Sequence, residues 1–138
     1  MKVGIVDLNA VDAQQLVTES LIESGFAVVE NHKIPVSELN GLYEGWNDFF
    51  LNGNPGQYVT DADSQAGYFS PYFAETAKGH EAQDLKEYFH YWPGGLLPKS
   101  VEKLTLHYYD AVFDLGKDVM AWLQANSPTT LWKSIDRP

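Results

Sequence analysis

Residues 3–34, VGIVDLNAVDAQQLVTESLIESGFAVVENHKI, decide how the rest of the chain is read. Val3 to Leu8 is a short apolar run ending at Asp7, the pattern of a buried strand. Asp12 is placed to cap a following helix, in which Ala13, Leu16, Val17, Leu21 and Ile22 lie near one face at helical spacing. Gln14, Glu19 and Glu23 fall elsewhere around it, and Gly25 stops it. Phe26 to Glu30 is rich in β-formers and reads as a second strand. The opening unit is therefore strand, helix, strand.

Beyond it, Asn31 to Pro35 forms a turn, and Ser37 is a plausible cap for a helix with the apolar stripe Leu39, Leu42, Trp46, Phe49 and Phe50, ending near Asn52 or Gly53. Asn52 to Ser64 carries Gly, Asn, Pro, Asp and Ser without apolar periodicity and reads as a mobile loop. Gly67 to Phe73 is aromatic, interrupted by Pro71, and extended. Asp84 to Trp92 fits either a helix or a strand by periodicity; its aromatic density and the Pro93-Gly94-Gly95 that follows favour an extended C-terminal end. From about Pro98 to Ala125, Val101, Leu104, Tyr108, Ala111, Leu115, Val119 and Trp122 recur at spacings of three and four, predicting one long helix that Ser127-Pro128 ends. The expected fold class is α+β: mainly helical, with a β-α-β start and one long C-terminal helix. The 138 residues are expected to form a single domain.

Composition narrows the partners. Hydrophobic residues make up 44% and charged residues 20%, a globular balance. The formal net charge of −10 repels phosphate backbones and anionic lipid, so neither nucleic acid nor a membrane surface is an expected partner. The absence of cysteine excludes disulfides, thiolate metal sites and cysteine nucleophiles. No signal-like segment opens the chain, and no stretch approaches the roughly 18 apolar residues of a membrane span. A soluble, cytoplasmic protein is expected.

Several short patterns occur in an order that resembles one family. Ile5-Val6-Asp7-Leu8 precedes a helix, and Gly25-Phe26-x-Val28-Val29-x-Asn31-His32-x-Ile34 follows it. A helix containing Phe49-Phe50, then Gly67-Tyr68-Phe69, then Asp84-Leu85-Lys86-Glu87-x-Phe89 and a long helix complete the series. Nearly the whole chain resembles the N-terminal region of isopenicillin N synthase-like oxygenases, non-haem enzymes that use Fe(II), 2-oxoglutarate and O2. The resemblance implies an oxidoreductase parent, a dioxygenase, whose jelly-roll (double-stranded β-helix) barrel would pack on this region but is absent from it. It also places Gln65, Tyr68 and Phe69 near the substrate. The aromatics Tyr68, Phe69, Tyr72 and Phe73 can equally be core filling. Two departures stand out. Lys33 replaces the family's usual glycine after Asn-His, and Gln65 stands where isopenicillin N synthase has an arginine for its substrate's carboxylate, a bidentate ion pair that a neutral amide cannot make.

The family's iron ligands, His-x-Asp/Glu and a later His, are not found. Two residues after His32, His80, His90 and His107 stand Ile34, Ala82, Trp92 and Tyr109, none a carboxylate. Arg137-Pro138, at the single arginine, does not by itself complete the Arg-x-Ser that holds 2-oxoglutarate in the family. No catalytic, cofactor-binding or metal-ligating residue is therefore assigned. His107 with Asp110 and Asp114 on one helix is read as a solvated face, because a metal site needs three or more converging ligands. His32 is expected to stabilise its turn and His90 to pack or hydrogen-bond. Asp61 and Asp63 read as solvated loop charges. Three functional readings follow: the N-terminal scaffold and substrate lid of such an oxygenase, inactive without the barrel; a free-standing binding module that dimerises through exposed strand edges; or an unrelated small α/β domain.

Overall fold

The computed structural model describes residues 2–59, 64–73 and 85–128. The elements run β1 (Gly4–Asp7), α1 (Ala13–Ser24), β2 (Ala27–Glu30), α2 (Val36–Asn52), β3 (Gly67–Phe69), β4 (Tyr88–His90) and α3 (Glu102–Ala125), with 3-10 turns at Pro55–Tyr58 and Pro71–Phe73. The fold is α+β with a β-α-β start and a long C-terminal helix, and the described residues form no closed barrel. None of their helices is long and apolar enough to cross a membrane. The chain divides into two compact units, one of residues 1–36 and 107–138 and one of residues 37–106.

In the first unit β1 and β2 pair in parallel, Ile5 opposite Val28 and Val6 opposite Val29, with α1 as the crossover. Strand side chains alternate, so Val6 turns to the core, 3% exposed, while Ile5 is 67% exposed. Val6, Ala13 and Val17 form the centre; Leu8, Leu21, Val29, Val119 and Trp122 pack against it half-buried. Burying one valine this way contributes about 1.5–3 kcal/mol.

The buried stripe of α1 differs from the expected one. It comprises Ala13, Val17, Ser20 and Ser24, with Thr18 also buried, whereas Ile22 is 73% exposed and Leu16 lies at the margin. The serines belong inside because each finds partners there. Ser20 Oγ accepts from the Gly4 N–H at 2.8 Å and donates to the Phe26 carbonyl at 2.7 Å. Ser24 Oγ donates to the same carbonyl and accepts from the Phe26 N–H. Gly4 is required for this approach: a Cβ there would sit 2.8 Å from Ser20 Oγ. Gly25 ends α1 in the left-handed region (φ 78°), its N–H donating to the Leu21 carbonyl, as expected of a C-terminal glycine. Asp12 stands at the N-cap position but makes no capping bond through its side chain. Ser37 is not a cap either, because α2 already begins at Val36.

In the second unit the expected stripe of α2 packs into an aromatic cluster. Phe49 is 4% exposed and meets Trp46, Phe50, Tyr58 and Phe89 at centroid distances of 5.5–6.1 Å. Trp46 Nε1–H donates to Thr105 Oγ1 at 3.0 Å, satisfying the indole's polar end. Val101, fully buried, fills the space left by Gly45. The loop expected from Asn52 contains the Pro55–Tyr58 turn. The extended stretch from Gly67 stops at Phe69 and turns over at Pro71, whose fixed φ suits a turn better than a strand. The Asp84–Trp92 ambiguity resolves to a strand at its C-terminal end. The long helix starts at Glu102 rather than Pro98; Pro98 supplies the carbonyl that accepts the N–H of Glu102.

Candidate substrate-facing hairpin

β3 and β4 pair antiparallel, Gly67 opposite His90, Tyr68 opposite Phe89 and Phe69 opposite Tyr88. Directly opposed residues share a face and successive ones alternate. Tyr68 and Phe89 therefore lie on one face, and Phe69, Tyr88 and His90 on the other. Phe89 joins the aromatic cluster, 5.0 Å from Trp46, and Tyr68 lies 6.3 Å from Phe50. On the opposite face Phe69 and Tyr88 stack at 4.8 Å and 8°, with His90 tilted against both. Lys86 Nζ lies 5.8 Å from the Tyr88 ring centroid, within cation–π range.

Of the three residues expected near substrate, Tyr68 and Phe69 thus occupy opposite faces of one hairpin, and Gln65 sits just before it. Gln65 adopts φ 51°, and its carbonyl accepts from Trp92 Nε1–H at 2.9 Å and lies 3.3 Å from His90 Nδ1. The backbone of Gln65 clamps the end of β4. The Tyr68 hydroxyl donates to Glu87 Oε2 at 2.7 Å. That bond, with burial and the carboxylate's charge, pushes the phenol up to about 12, so it is a hydrogen-bond donor at neutral pH and not a base. Sequence reasoning missed Glu87. The signal was available only once the register was known, since Glu87 sits next to Tyr88, the partner of Phe69. His90 packs against rings as expected. His80, Asp61, Asp63, Arg137 and the side chain of Phe73 lie outside the described residues.

A concave region lies in the first unit, at the C-terminal ends of β1 and β2. A cavity of about 320 Å³ is lined by Leu8, Asn9, Asn31 to Ile34 and residues of α3 from Ala111 to Trp122. The Asp7 carboxylate organises its mouth, accepting from Asn9 N–H at 2.9 Å and Asn31 Nδ2 at 2.8 Å; those bonds lower its pKa. His32 Nδ1 accepts from the Ile34 N–H at 3.2 Å, which stabilises the turn as expected and places the ring proton on Nε2. Asn31 (φ 58°) and Lys33 (φ 62°) are both left-handed. Lys33 therefore takes up the conformation that favours glycine, and accepts the strain. Asp114 pairs with Lys117 at 2.8 Å. Among the described residues no three His, Asp or Glu side chains converge as a metal site would require.

No protein-family model and no curated protein matches the chain. Among solved structures it is similar to a Shewanella oneidensis protein described as a proposed oxygenase, at a TM-score of 0.81 and 33% identity. The similarity covers 94% of this chain and 47% of that protein, so this chain spans about half its length. The fold described above is thus an oxygenase-like one, matched over nearly its whole length to part of a larger molecule.

Proposed function

We propose that this chain is the N-terminal scaffold and substrate-lid portion of a non-haem iron, 2-oxoglutarate-dependent oxygenase of the isopenicillin N synthase-like kind. The carrying observation is the similarity of 94% of the chain to about half of the Shewanella protein. The ordered motifs from Ile5 to the long helix support the family. In such enzymes iron and 2-oxoglutarate use O2 to oxidise a small organic substrate. The residues present do not fit a resident iron, since no histidine is followed two residues later by a carboxylate. The ligands then belong to a jelly-roll barrel outside this chain. The chain's own part is positioning. The Tyr68–Glu87 bond and the Gln65 clamp hold the hairpin rigid, and the Phe69–Tyr88 stack offers an apolar, aromatic wall.

The test is to read the gene beyond the codon for Pro138 and assay its whole product. His-x-Asp or His-x-Glu, a later His and Arg-x-Ser are expected. With Fe(II) and O2 the whole product should convert 2-oxoglutarate to succinate, and the 138-residue chain alone should not. A stop codon directly after Pro138 refutes the proposal.

One observation favours a second reading, a dimerisation module of the same fold. Ile5 and Val28 are paired neighbours on one sheet face and are 67% and 50% exposed. A monodisperse monomer in light scattering excludes it.

A further inference from the structure

The cavity at the C-terminal ends of β1 and β2 is lined by groups of opposite charge. The turn after β2 contributes His32 and Lys33 to one wall, and α3 contributes Asp114 and Asp118 to another. Leu8, Ile34, Leu115 and Trp122 add an apolar lining, and all of these residues belong to the first unit. A second concavity, of about 500 Å³, shares Asn9 and the turn from Asn31 to Ile34, so the same turn borders open space twice. The carboxyl ends of parallel strands are where open α/β sheets place ligands.

The opposite charges do not close on one another. Among the described residues Lys33 makes no ion pair. Asp114 is paired with Lys117, which leaves Asp118 as the open carboxylate of the α3 wall. His32 Nδ1 is occupied by the Ile34 N–H, so its Nε2–H remains to donate. Lys33 also holds φ 62°, a conformation that glycine would adopt without strain. Glycine would remove the ammonium from the cavity. Strained, left-handed residues of this kind cluster at ligand clamps.

We infer that this cavity binds a small zwitterion, an α-amino acid with an apolar side chain. Its carboxylate meets Lys33 and the His32 Nε2–H, its ammonium meets Asp118, and its side chain lies against Leu115 and Trp122. The volume of about 320 Å³ is at the small end of ligand cavities and suits a molecule of that size. Charge favours the zwitterion over a simple acid: a chain of net charge −10 repels a free anion but not a ligand that is neutral overall. The inference goes beyond the proposed function and does not depend on it, since neither the hairpin nor an iron ligand takes part.

The experiment is isothermal titration of the 138-residue chain with L-leucine, in the absence of iron and 2-oxoglutarate. Two analogues are titrated alongside: 4-methylpentanoate, which lacks the ammonium, and 3-methylbutylamine, which lacks the carboxylate. Leucine should saturate at millimolar concentration. Each analogue should bind at least about tenfold more weakly, because it leaves one charged partner unmet. After Lys33→Met, leucine should bind no better than 3-methylbutylamine; after Asp118→Asn, no better than 4-methylpentanoate. Both side chains are exposed, so neither change threatens the fold. No binding of leucine, equal binding of leucine and 4-methylpentanoate, or unchanged leucine affinity in the two variants overturns the inference. The two proposals fail separately. Turnover of 2-oxoglutarate by the whole gene product, with no leucine bound by this chain, sinks the amino-acid site alone. Leucine binding to a chain whose gene lacks the iron ligands sinks the oxygenase reading alone.

Discussion

Ser20→Ala tests whether the opening unit is held as described. Ser20 is buried, and its hydroxyl bridges the Gly4 N–H and the Phe26 carbonyl. Removing it leaves the Phe26 carbonyl with Ser24 Oγ but takes from the Gly4 N–H its side-chain partner. Losing the partner of a fully buried donor costs about 1–3 kcal/mol, and the Gly4 N–H, being part-buried, loses toward the lower part of that range. Alanine's better helix propensity returns about 0.5 kcal/mol. The net loss is about 1 kcal/mol, or roughly 3 °C in melting temperature for a chain of this size. Gly4→Ala should cost a similar amount, because its Cβ would meet Ser20 Oγ at 2.8 Å and Ser20 Cβ at 3.0 Å and push the same bond apart. Both substitutions break one interaction, so the double variant should be about 1 kcal/mol more stable than additivity predicts. Urea unfolding of the four proteins measures this directly, with the slope against denaturant unchanged across the set. Additive losses, or a neutral Ser20→Ala, would refute the bridge.

In an alkaline titration followed by phenolate absorbance, and with Tyr68→Phe to identify the group, Tyr68 should ionise near 12 and the change Glu87→Gln should lower that value. Because its pKa is higher folded than unfolded, the stability it contributes is fully present below about 10 and lost as pH rises through about 12; titration near 10 in both proteins would exclude the Glu87 bond. Lys33→Gly should stabilise the chain by up to about 1 kcal/mol, the left-handed strain relieved less the added freedom of the unfolded chain, and Lys33→Val should destabilise it. Equal melting temperatures for the three proteins would show that residue 33 does not keep its positive φ.

The opening β-α-β unit, the α2 stripe and the long helix were legible in the sequence because each is a local periodicity: apolar runs of strand length and spacings of three and four. Gly25 marked the end of α1 because only a residue without Cβ takes φ 78° at no cost. What only the tertiary structure decided were features that depend on partners far along the chain. Ser20 and Ser24 displace Ile22 from the buried face because Gly4 and Phe26 offer them hydrogen bonds. Tyr68 and Phe69 part to opposite faces because pairing with Phe89 and Tyr88 sets their register. Glu87 becomes the partner of Tyr68 across 19 residues. Gly116 reads in the sequence as a weak point in a helix; the structure adds that none of the described residues comes within 4 Å of a Cβ placed there. Periodicity reports which way a side chain faces within its own element, and only packing determines what it meets there.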